Sequence, residues 1–150
     1  MTHKQLREEI LKCLITKDFS KLLNFPLKKI ANHVIYFLFS LDKDLKANAI
    51  EAIGIIVFEI TKFDIEFARN IMRRLMWSLN EESGSIGWGA GEAMGEIMSK
   101  SEILAKEYRH ILLSYVEKEK KYNYIENDYL RKEVLLGIEK LYLSDFCKKI

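Results

Sequence analysis

Apolar side chains recur every three or four positions along nearly the whole chain, the spacing that lines one face of an α-helix. Leu27, Ile30, Ala31, Val34, Leu38 and Leu41 make one such stripe. Pro26 suits the first turn before it, where its missing N–H costs nothing. Ala49, Ala52, Ile53, Ile56 and Ile60 make the next, with Asp44 as the predicted N-cap. Ile65, Ala68, Met72, Leu75 and Leu79 follow Asp64, a second cap. Leu104, Tyr108, Ile111, Leu112 and Tyr115 make a further stripe, and Leu130, Val134, Gly137, Ile138 and Leu141 the last. No segment alternates convincingly with period two, so the pattern predicts an all-α fold.

The joints between stripes are short. Asp42-Lys43-Asp44, Lys62-Phe63-Asp64 and Lys100-Ser101 give a helix no room to wander before the next begins, so sequential helices are expected to pack as antiparallel neighbours. Lys121 to Asp128 form the one longer polar loop. The chain also repeats itself. Asp44-Leu-Lys-Ala-Asn-Ala-Ile-Glu-Ala-Ile-Gly54 aligns with Ser85-Ile-Gly-Trp-Gly-Ala-Gly-Glu-Ala-Met-Gly95. Ala49 then falls on Ala90, Glu51 on Glu92, Ala52 on Ala93 and Gly54 on Gly95, a spacing of 41. A weaker third copy covers Leu130 to Ile138, where Gly137 lies 42 residues beyond Gly95. Leu6 to Ile15 reads as a degenerate capping copy.

A period near 41, with small residues and glycine on the second helix of each pair, resembles the HEAT repeat, above all that of phycobilin-lyase-like HEAT proteins. The resemblance covers roughly residues 26 to 143. It implies a short right-handed α-solenoid of about three to four helical pairs. The domain division it implies is a single HEAT-like domain with a capping helix over 1–24, repeats over 25–62, 63–100 and 101–143, and a tail over 144–150. In such a repeat alanine and glycine let the two helices of one pair approach closely, and apolar residues face the next pair. Lys46 and Ala47 stand where the repeat commonly carries an arginine after its aspartate. The tract from Trp77 to Ile97 is also similar to one in uncharacterised prokaryotic HEAT-repeat proteins, a likeness that locates a site without naming its chemistry.

Composition agrees with the helical reading and narrows the partners. One proline and seven glycines are too few for the many turns of a sandwich or barrel. Hydrophobic residues at 49% and charged residues at 31% describe a chain able to bury a core. The 24 basic and 22 acidic side chains are well mixed, without the basic stripe of a nucleic-acid binder. The run from Glu117 to Tyr122 alternates in sign and reads as the solvated end of a helix. The longest strongly apolar run, Val34 to Leu41, is too short to cross a bilayer. Cys13 and Cys147 lack CxxC spacing and read as buried thiols of a reducing compartment. With a charged N-terminus that has no apolar core segment, the expected location is the cytoplasm.

Candidate chemistry concentrates between Asn80 and Glu96. Glu81, Glu82, Trp88, Glu92 and Glu96 share this tract with Gly84, Gly87, Gly89, Gly91 and Gly95. Glycines so dense in a helix start mean that a backbone approaches something closely, either a neighbouring helix or a ligand. The N–H groups at that start could hold an anion. Glu92 and Glu96, four apart, share a helical face, and Glu81 or Glu82 could reach back towards them. Clustered carboxylates can ligate a hard cation, but no ExxH partner accompanies them. His3, His33 and His110 are scattered, so no metal, cofactor or catalytic residue is assigned. Arg69, Arg73 and Arg74 precede the tract. Arg73 and Trp77 could stack on one face, or the arginines could pair with Glu66 and with Glu81 or Glu82.

Two functions follow. The first is a non-catalytic scaffold whose concave face takes a protein or peptide, with Glu51 and Glu92 as an acidic ladder preferring basic partners. The alternative is a small-molecule or enzymatic site on the Asn80–Glu96 tract, by analogy with bilin lyases and DNA-base glycosylases of HEAT-like fold. Self-association through uncapped end helices is a third use.

Overall fold

The computed structural model describes residues 1–80 and 87–144, and these form eight helices and no strand. In chain order they are α1 (His3–Thr16), α2 (Phe19–Leu22), α3 (Leu27–Phe37), α4 (Lys43–Thr61), α5 (Ile65–Ser78), α6 (Ala90–Lys100), α7 (Glu102–Ser114) and α8 (Asp128–Tyr142). None of them is long and apolar enough to cross a membrane.

Most starts are set by a side chain that accepts an otherwise orphaned backbone N–H. Thr2 and Gln5 close a capping box on α1, Asp64 accepts from Phe67 N–H on α5, Ser101 from Leu104 on α7 and Asn127 from Leu130 on α8. Asp64 also receives Lys28 Nζ at 2.6 Å, which ties α3 to α5 and, through that hydrogen bond, holds its carboxyl below the usual range. The cap of α4 is Asp42 rather than Asp44. Asp42 has the extended backbone of an N-cap and accepts from both Asp44 and Leu45, while Asp44 already sits in the first turn. Leu41 leaves the predicted stripe and is 82% exposed, because α3 has ended at Phe37. The four-residue α2, capped by Asp18, is too short to show a stripe in sequence.

The core gathers around α6. From Ala90 to Met98 all its residues except Glu92 are buried. Its most extensive contact is with α8, the next with α4, and it also touches α5 and α7. Glycine makes this enclosure close. A Cβ on Gly95 would overlap the carbonyl group of Gly137 on α8, and one on Gly137 would overlap the carbonyl oxygen of Gly91. On the other side, a Cβ on Gly54 of α4 would lie 2.7 Å from Cγ of Glu96. The glycines therefore act between helices of successive stretches, α4 to α6 and α6 to α8, rather than within one pair. Each costs about 1 kcal/mol of helix propensity relative to alanine, and backbone-on-backbone dispersion along the crossings offsets it.

Gly95→Ala separates these two effects. Propensity alone would raise stability by about 1 kcal/mol. Overpacking against Gly137 should instead lower it by about 1–3 kcal/mol, read from urea unfolding.

Candidate functional site

The tract enters α6 through a turn that only glycine takes without strain. Gly87 and Gly89 have φ of 72° and 79°, in the left-handed region. Space forbids side chains there too. A Cβ on Gly87 would lie 2.6 Å from the carbonyl oxygen of Ser78, and one on Gly89 would lie 2.7 Å from that of Leu38. The turn thus fits between the ends of α5 and α3. Trp88, half-buried between the two glycines, meets the ring of Tyr129 edge-on with centroids 6.2 Å apart.

Gly89 is the N-cap of α6 and has no side chain to offer. Its own N–H donates to Oε1 of Glu133 at 2.9 Å, so α8 sends a carboxylate to the positive end of α6. Glu133 is 5% exposed. Its second oxygen receives Lys46 Nζ of α4 at 2.5 Å, and the same ammonium reaches the Tyr129 hydroxyl at 3.3 Å. Burial by itself would lower the Lys46 pKa, but hydrogen bonding and charge from Glu133, aided by Tyr129, reverse it, and the net shift is upward. Lys46 thus stays charged, as a buried pair requires. Glu133 belongs to no motif of the sequence. One sign was present, since it stands on the predicted apolar face of α8, three residues after Leu130 and four before Gly137.

Glu92 and Glu96 share one face of α6, as their spacing predicts, and that face meets α8. Lys140 Nζ lies 2.9 Å from Glu92 Oε2 and 3.2 Å from Glu96 Oε2, while Lys100 holds the other oxygen of Glu96 at 2.7 Å. The result is a chain of alternating charges along the α6–α8 seam. Burial pulls the Lys140 pKa down, but Glu92 and Glu96 together push it above its ordinary value.

The other predicted residues stand apart from this seam. Glu51 on α4 pairs with Lys17 at 3.0 Å, each side chain about half exposed, a contact worth under about 1 kcal/mol. Arg73 turns back along α5 to Glu66 at 3.1 Å and Asn70 at 2.6 Å. Arg69 grips Glu107 of α7 through two bonds, 2.9 and 2.6 Å, and also meets Glu66. Trp77 is 55% exposed on α5. Glu81 and Glu82, like Gly84 and Cys147, lie outside the described residues. Among the described residues no group of three or more His, Cys, Asp and Glu is placed to hold a metal. A concavity beside α1 is lined by Lys12, Cys13, Thr16, Asp18 and Lys21, none of which belongs to the tract.

The histidines are less scattered than their numbering suggests. His3 and His33 stack with centroids 4.4 Å apart, and buried His33 accepts from Arg7 Nε through Nδ1 at 3.2 Å. Arg7 itself lies 4.0 Å over the Tyr36 ring. Burial first, then the positive charge of His3 and Arg7, hold His33 below its ordinary 6.5. An unfolded chain therefore binds this proton more readily than the folded one. Its contribution to stability is complete above pH 6.5 and falls as pH drops below it. His33→Asn should flatten that part of the stability–pH curve, and a proton NMR titration of the ring should show its midpoint below 6.5.

The Lys46–Glu133 pair generates a sharper expectation. Lys46→Met leaves a buried carboxylate with only the Gly89 N–H and should cost about 3–5 kcal/mol in chemical unfolding. Glu133→Leu should cost a similar amount. The double variant should lose less than the sum, with a coupling of at least about 1 kcal/mol.

Compared with protein-family models, with curated proteins and with solved structures, the chain finds no match.

Proposed function

We propose that the chain is a short, right-handed HEAT-like α-solenoid, a single domain in which α1 caps the pairs α3–α4, α5–α6 and α7–α8. We further propose that it serves as a non-catalytic binding module for a protein or peptide. Two features support the architecture. The second helices α4, α6 and α8 pack in that order, and Gly54, Gly95 and Gly137, spaced by 41 and 42 residues, are all buried where those helices meet. A free, buried Cys13 thiol suits the cytoplasm as its compartment.

The observation that carries the functional reading is the charged seam. Glu92, Glu96, Lys100 and Lys140 are tied to one another with side chains only 10–34% exposed, so they form a preorganised strip rather than a loose set of acids. Exposed Phe58 on α4 and exposed Leu136 on α8 belong to the two helices that flank α6. A strip of fixed charge with apolar neighbours suits an extended or helical peptide that brings basic and apolar side chains of its own. Glu51, equivalent to Glu92 by position, places a further carboxylate on α4, apart from the seam and paired with Lys17.

Selection of peptides from a random library against the immobilised protein tests this. Enriched peptides should be basic, and on titration they should shift backbone amides of 47–62, 92–100 and 136–143. Glu51→Lys should weaken binding about tenfold, equivalent to about 1.4 kcal/mol. Shifts confined to other helices, or affinity indifferent to Glu51→Lys, would overturn the reading.

A further inference from the structure

The outward face of α8 is apolar at its middle, charged on either side, and patterned in a way that a second copy of itself completes. Glu133, Val134, Gly137 and Leu141 turn inwards and are buried. On the opposite side Leu135, Leu136, Tyr142 and Leu143 remain 50%, 41%, 48% and 63% exposed. Lys132 and Glu139 are exposed on that same side. Lys132, Leu135, Leu136, Glu139, Tyr142 and Leu143 follow the three- and four-residue spacing of a single helical face. Three large apolar side chains at this exposure on α8 and a fourth at its C-cap make a patch of the kind that marks an interaction site.

We propose that two copies of this chain associate through this face, α8 against α8, antiparallel about a two-fold axis passing between Leu135 and Leu136. Symmetry supplies the argument for a second copy over an unrelated protein. In a two-fold contact each residue meets the residue an equal distance from the axis in the partner chain. About the proposed axis, Leu135 meets Leu136 and Lys132 meets Glu139, each pairing occurring twice. Opposite charges therefore face each other at both ends of an apolar centre. Neither Lys132 nor Glu139 forms an ion pair with another described residue of its own chain, so both charges are available to the partner. A contact of one helix on one helix is at the small end of specific interfaces, so association should be reversible and roughly micromolar.

Sedimentation equilibrium on the full chain, from low to several hundred micromolar, tests the proposal. The expected result is a concentration-dependent monomer–dimer equilibrium. Lys132→Glu alone and Glu139→Lys alone place like charges opposite each other and should each weaken the dimer at least tenfold. Mixing these two variants restores both opposite pairs and should restore dimerisation, as should the double variant Lys132→Glu with Glu139→Lys. Both positions are solvent-exposed, and far-UV circular dichroism checks that every variant keeps its helices. Leu136→Asp should abolish association without altering the helical signal. A wild type that stays monomeric throughout, single reversals without effect, or a mixture that does not recover would each overturn the proposal. Lys132 and Glu139 form none of the ion pairs of the α6–α8 seam, so the charge-reversal variants keep those pairs and peptide binding measured on them at monomer concentrations is a separate outcome, whereas Leu136→Asp bears on both surfaces.

Discussion

A carboxylate withdrawn from water must find donors nearby, and Glu133 finds them on two other parts of the fold. Its oxygens divide between the Gly89 N–H, at the start of α6, and the Lys46 ammonium of α4. Three elements far apart in sequence are thereby held at one point. The geometry of the tract follows from it. Gly89 has no side chain with which to cap α6, so the cap comes from α8, and the turn carrying Trp88 is pinned where it meets Tyr129. Replacing any one of these groups leaves a buried charge or a buried donor without its partner, which is costlier than never having had the pair.

Close packing of α6 depends on the same point. With its start fixed to α8, the helix runs along α8 at a separation that only Gly91, Gly95 and Gly137 permit, while Gly54 lets the side chain of Glu96 lie against α4. The alternatives offered by the glycine-rich tract, a ligand or a neighbouring helix, are met in the described residues by neighbouring backbone and side chains. The expected anion at the start of α6 has a counterpart as well, since Glu133 stands at that helix end.

Beyond the core, charge rather than cavity organises the surface. Lys140 bridges Glu92 and Glu96 along the α6–α8 seam, and the guanidinium of Arg69 spans from α5 to Glu107 on α7. Both sets lie across helix boundaries and are partly shielded, so they orient helices as well as decorating them. The opposite side of α8 is different in kind, with two leucines facing solvent between a lysine and a glutamate and an exposed tyrosine beyond them. One helix therefore carries a polar inner anchor at Glu133, a small-residue crossing at Gly137 and an apolar outer face.

The chain by itself determined the helical class, most helix positions and the cap at Asp64, because periodicity and capping are local and act within a turn or two. Asp64 is a cap in both readings, and the stripes led by Ile65 and Leu104 are buried in the core or packed against it where the spacing put them. The shared face of Glu92 and Glu96 was also legible, and Gly54 and Gly95, aligned in the sequence, each stand at a helix crossing. Choosing Asp42 over Asp44 needed backbone dihedrals, since both are acceptors at a helix start. The partners of each site residue lay beyond reach of sequence. Lys46 and Glu133 are 87 residues apart, His3 and His33 are 30, and nothing local couples them. Long-range pairing is decided by which helices pack together, and that is set by summed burial over the whole core. Only the tertiary structure could therefore show that Lys46 and Glu133 together hold the glycine turn in place.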